Sequence, residues 1–148
     1  MKKINSIILS IFLVISFSAY AADMNSPIGS WKTVDDLTGT TKSIVEISET
    51  SNQLLEGKVA KLFVDPTKTC PKCKGLKKNQ PVLGLRVIEN LQRTRDNPRL
   101  WNGGEILDPK NGQTYHCSLE VIDNGHKLLV RGYIGMPLFG RSQTWVRV

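Results

Sequence analysis

The stretch Gly112–Ile134, GQTYHCSLEVIDNGHKLLVRGYI, decides the fold. In its first half Tyr115, Cys117, Leu119 and Val121 fall on one side while His116 faces the other way, the period of two that belongs to a β-strand. Asp123-Asn124-Gly125 then supplies residues that accept positive φ, and a second β-rich run, Lys127–Ile134, follows directly. The segment predicts a hairpin. Moving outward, similar runs recur at short spacing: Gly29–Thr33, Thr41–Glu49, Gln53–Phe63, Val82–Asn90 and Leu100–Leu107 before it, and Ser142–Val148 after it. Turn chemistry separates them, as in Leu37-Thr38-Gly39 and Asp108-Pro109-Lys110-Asn111-Gly112, where Asp108 reads as a turn initiator. The prediction is all-β: an antiparallel up-and-down β-barrel of about eight strands, with a sandwich as the alternative arrangement. Closure hides the strand edges, and a barrel of this size either fills with side chains or holds one small ligand.

Export frames the chemistry. Met1-Lys2-Lys3, the apolar run Ile7–Phe17 and the small-residue exit Ala19-Tyr20-Ala21 have the order of a cleavable signal peptide, residues 1–21. The apolar run is shorter than the roughly 20 residues a membrane-spanning helix needs. Cleavage leaves residues 22–148 as one domain and, by removing Lys2 and Lys3, reduces the formal net charge from +7 to +5. The expected location is periplasmic or secreted. Strand faces are less clear than strand positions. Along Lys127–Ile134, Leu128, Val130, Gly132 and Ile134 oppose Leu129, Arg131 and Tyr133, and we expect Arg131 and Tyr133 inside but Arg147 outside.

Gly29-Ser30-Trp31 opens the first strand and Arg141–Arg147, containing Trp145, closes the last, which looks like the lipocalin pattern of an early Trp covered by a late Arg at the barrel floor. Further pieces in order are Gly39 with Lys42-Ser43-Ile44-Val45, Cys70-Pro71-Lys72-Cys73, and Pro81-Val82-Leu83-Gly84. Trp101 with Gly104–Pro109, Gly112–Tyr115, Val130–Gly135 and Gly140–Arg147 follow. Together these resemble the bacterial domain-of-unknown-function family 2147 across nearly the whole exported part. The resemblance implies a small exported protein with a lipocalin-like barrel, and it carries no established activity and no catalytic residues.

Cys70-Pro71-Lys72-Cys73 is the most conspicuous chemical motif. Outside the cytoplasm the pair reads as a disulfide that rigidifies the long connection from Phe63 to Val82. Thioredoxin-like chemistry lacks its βαβ context, and haem attachment fails because Lys74, not His, follows Cys73. A zinc site would need Cys117 with His116 or His126, but alternation sends His116 and Cys117 to opposite faces, and Cys117 reads as a buried small hydrophobe. No metal or cofactor is therefore expected.

Five lysines, Lys68, Lys72, Lys74, Lys77 and Lys78, surround the cysteine pair. Such a run is commonly a solvated loop, and its functional reading is contact with an anionic envelope component. Nothing in it suggests nucleic-acid binding, for it has no interleaved aromatics. Met136, Leu138 and Phe139, between Gly135 and Gly140, read either as a plug under the barrel or as the mouth for an apolar ligand. Trp101, Tyr115, Arg131 and Tyr133 complete the candidate ligand lining. The chain contains no G-x-S-x-G, no H-E-x-x-H and no Gly-rich phosphate loop. The expectation is a non-enzymatic protein holding a small apolar or amphipathic ligand in a barrel cavity. The alternative is a solid barrel whose basic loop meets anionic envelope components.

Overall fold

The computed structural model describes residues 23–148, and the signal-peptide reading of residues 1–21 lies outside them. Eight strands follow in order: β1 Gly29–Val34, β2 Thr41–Glu49, β3 Leu55–Leu62, β4 Arg86–Arg93, β5 Leu100–Asp108, β6 Gln113–Ile122, β7 Lys127–Tyr133 and β8 Arg141–Arg147. The β6–β7 hairpin turns where its sequence says it should: Asp123, Asn124 and Gly125 have φ of 51°, 50° and 87°. Each strand pairs antiparallel with the next, and β8 returns to β1 through Trp31 opposite Arg147 and Lys32 opposite Val146. The sheet is a closed up-and-down barrel, not a sandwich. It closes within Gly29–Arg147, so the sheet is complete without any residue before Gly29.

Directly opposed residues share a face, so pairs such as Leu119–Val130 and Leu128–Trp145 identify the interior. Trp31, Leu55, Ile88, Leu91, Cys117, Leu119 and Leu128 are all 0% exposed. A chamber wide enough for water beside these side chains would leave them accessible area. They have none, so the barrel is solid around them. Burying each large apolar side chain stabilises the fold by roughly 1.5–3 kcal/mol.

Two expectations about faces change. With Leu128 and Val130 buried, Arg131 and Tyr133 lie on the outer wall, opposite to the inward placement read from their aromatic and cationic character. Arg147 shares the inner face with its partner Trp31, against its expected outward placement. Period-two patterning separates the faces without saying which is inside, and here the apolar partners on neighbouring strands decide it. The fourth strand also starts later than its apolar run suggests. Val82 and Leu85 are buried loop residues, with Gly84 between them at φ 83°. Burial in a loop reproduces the composition of a strand.

Antiparallel order sorts the connections between two ends. The floor carries the start of β1, the end of β8 and the β2–β3, β4–β5 and β6–β7 turns, while the opposite loop end carries β1–β2, β3–β4, β5–β6 and β7–β8.

Candidate functional site

The floor is sealed. The Arg147 guanidinium lies 4.1 Å from the Trp31 ring centre and donates to the carbonyls of Gly125 (2.6 Å), Ile28 (3.0 Å) and Ser26 (2.8 Å). Partial burial pulls its pKa below the ordinary arginine value. Gly29 is required beside it: its φ is 132°, and a Cβ there would sit 3.0 Å from the guanidinium. The Trp31 indole N–H donates to Pro27 O at 2.7 Å. The early-Trp, late-Arg arrangement expected from the ends of the chain is thus present, with Arg147 as the arginine. Trp101, a predicted lining residue, lies at this end, 6% exposed, with its indole N–H unpaired. It borders a cavity of about 390 Å³ shared with Asp23, Glu49 and Arg93, away from the other predicted residues.

The loop end is built differently. The β3–β4 connection is held by the Cys70–Cys73 disulfide, and both cysteines are buried. A bridge between Thr69 and Pro81 and the Val82 N–H to Lys68 O bond (2.8 Å) tie its two arms together. It docks on the β5–β6 turn, where Asp108 accepts from the Lys110 N–H at 2.8 Å, the role its sequence indicated. Gly112, at φ 71°, is packed so closely that a Cβ would lie 2.0 Å from the Lys72 carbonyl. The loop is therefore a fixed part of the fold. Lys77 is occupied by Glu89 at 2.7 Å, whereas among the described residues Lys68, Lys72, Lys74 and Lys78 have no carboxylate within 4.0 Å.

Large apolar side chains gather at this end. Leu37, on β1–β2, is 91% exposed; Phe63, Val64, Leu76 and Leu83 are exposed on β3–β4; Ile134, Met136, Leu138 and Phe139 are exposed on β7–β8. The floor exposes Met24, Ile28 and Val148, and the outer wall Val146. Met136, Leu138 and Phe139, 64%, 77% and 76% exposed, do not plug the barrel. Leu138 and Phe139 stand on a single helical turn, Pro137–Phe139, which Met136 precedes; Arg131 clasps this turn from the outer wall by donating to Pro137 O (2.8 Å) and Leu138 O (3.3 Å), and it also donates to Ser142 Oγ on β8 (2.8 Å). Arg131 supports this loop and does not line a cavity. Tyr133 stacks at 5.6 Å with His116 on the same wall. Tyr115 faces in at the mouth beside Gly132 and Ile106, its hydroxyl 3.0 Å from Asn111 Nδ2. Of the predicted lining, Tyr115 alone turns inward at the end that carries the apolar loop; Arg131 and Tyr133 reach that end on the outer wall, and Trp101 lies at the floor.

The β1–β2 and β7–β8 loops are joined by Arg141 to Asp36 at 2.8 Å, and the Phe63 N–H bonds Lys42 O at 3.0 Å. The β7–β8, β1–β2 and β3–β4 connections are therefore neighbours around the rim, a gathering that topology creates and linear sequence hides. Cys117 is fully buried and desolvation pushes its thiol pKa up to about 12, so it is inert. Its outward neighbour His116 cannot share an ion with it. Among the described residues no cluster of three His, Cys, Asp or Glu side chains is placed to hold a metal.

Comparison with known proteins agrees with this architecture. No curated protein matches the chain. A solved structure described as protein HP1028 from the human pathogen Helicobacter pylori, which belongs to the lipocalin family, is similar with a TM-score of 0.70. It is 20% identical, with 82% of each chain covered, a likeness of fold. Residues 29–147 match a family described as an uncharacterised protein conserved in bacteria (DUF2147), the family whose motifs the chain resembles. A match over the complete barrel, supported by the lipocalin-like fold, shows that this chain belongs to the DUF2147 family.

Proposed function

We propose that the protein is an exported, non-enzymatic binding module that takes an apolar or amphipathic molecule at the loop end of its barrel. The carrying observation is the concentration of exposed large apolar side chains on that end, above an interior already filled by its own residues. Isolated exposed apolar residues are ordinary, whereas a gathered group rimmed by polar residues marks a binding surface. The partly exposed Tyr115 and the loop residues Met136, Leu138 and Phe139 form the seat. Arg131 contributes by holding the loop in place. The unpaired lysines of the β3–β4 loop favour a ligand with an anionic group.

The test is native mass spectrometry of the processed protein, with titration by the anionic apolar dye 1-anilinonaphthalene-8-sulfonate. A retained amphiphile, and dye binding that weakens when Met136→Ser, Leu138→Ser and Phe139→Ser are combined, is the expected result. An empty protein whose dye signal is unchanged by the triple substitution rejects the reading.

A further inference from the structure

We propose that the loop end is a membrane-docking face that seats on an anionic phospholipid bilayer, with its apolar loops in the interface and its lysines against the headgroups. The inference rests on the loop end being the working face, and it does not require the small ligand. Among the described residues, nine of the thirteen exposed large apolar side chains lie on the four connections at this end. Their backbones are held by the Arg131 clasp, the Arg141–Asp36 pair and the disulfide-closed loop. Ordered supports keep these side chains exposed at little further entropic cost on insertion.

Charge selects the surface. Between Phe63 and Leu85 the chain has five lysines and one acid, Asp65, and only Lys77 is paired. Nearby carboxylates have cationic partners: Asp36 is paired with Arg141 at 2.8 Å and Asp35 with Lys42 at 4.0 Å. Lysines near an anionic leaflet each add to the attraction, and apolar side chains among them add insertion. A second copy is a poor occupant, because two loop ends placed face to face would oppose two sets of unpaired lysines.

The barrel closes within Gly29–Arg147, so a protein of residues 22–148, the part left by the expected cleavage, contains the whole sheet and is used for the test. Sedimentation with phosphatidylcholine vesicles, with and without phosphatidylglycerol, should show binding to the anionic vesicles that falls as salt rises. Combining Lys68→Gln, Lys72→Gln, Lys74→Gln and Lys78→Gln should lower partitioning roughly tenfold to a hundredfold. Met136→Ser with Phe139→Ser should lower it roughly tenfold, with thermal unfolding unchanged because both side chains are exposed. No binding, equal binding to both vesicle types, or binding indifferent to both variants overturns the proposal. So does a concentration-dependent dimer abolished by Phe139→Ser, which would give the face to a second copy. Dye binding without vesicle binding ends the docking inference and leaves the proposed function standing. Vesicle binding by an empty, dye-indifferent protein does the reverse.

Discussion

Arg147 closes the floor with one side chain serving three carbonyls and an aromatic face. Truncation leaves those carbonyls to find water and uncovers Trp31. Arg147→Ala should therefore cost about 2–4 kcal/mol in urea unfolding, and Arg147→Lys should recover little because an ammonium cannot reproduce the planar fork. Cys117 supplies a pH test. Its folded thiol stays protonated to about 12, while in the unfolded chain a cysteine ionises near ~8.5, so the unfolded state releases its proton first. This contribution is complete below the unfolded value and is lost as pH rises toward the folded one. The stability difference between wild type and Cys117→Ala should shrink as pH rises from about 8 to about 11, and native Cys117 should resist thiol labelling until unfolding. Single residues were partly legible. The buried role of Cys117 follows from alternation, but the inward turn of Arg147 depends on Trp31, a partner at the other end of the sequence.

At the scale of elements, the β3–β4 connection joins a disulfide, a tight dock against Gly112 and a row of lysines. The disulfide closes a short loop, so replacing Cys70 and Cys73 by serine should lower stability by no more than about 2 kcal/mol. Hydrogen exchange should accelerate in residues 63–85 while β6 and β7 remain protected. Gly112→Ala should disturb the same segment without touching the disulfide, because its Cβ meets the Lys72 carbonyl. The disulfide was readable from the Cys70–Cys73 spacing once an exported compartment is expected. The start of β4 was not, since Val82 and Leu85 are apolar for the sake of loop burial. The apolar β7–β8 loop was readable as a candidate, but its exposure comes from the Arg131 clasp, which joins residues of different elements.

For the whole molecule, strand count and turn chemistry predicted a closed barrel, and cross-strand partners decided what fills it. A hollow interior would require inward side chains with free surface, and the seven fully buried ones named above have none. The candidate lining scattered because face assignment needs pairing: Trp101 went to the floor, Tyr115 to the mouth, and Arg131 and Tyr133 to the outer wall. The concentration of apolar and basic groups at one end is a property of up-and-down topology, which brings alternate connections together.

The β1–β8 seam has a further consequence. Trp31 faces Arg147 and the Val148 N–H bonds Ser30 O at 2.9 Å, so the first and last strands are ordinary neighbours in a ring with no privileged beginning. A circular permutant that links Val148 to Asp23 through a short flexible peptide and opens between Arg95 and Asp96 should refold with wild-type circular dichroism. Its new ends would emerge at the floor, where a fluorophore or surface tether could be attached while the loop end stayed free.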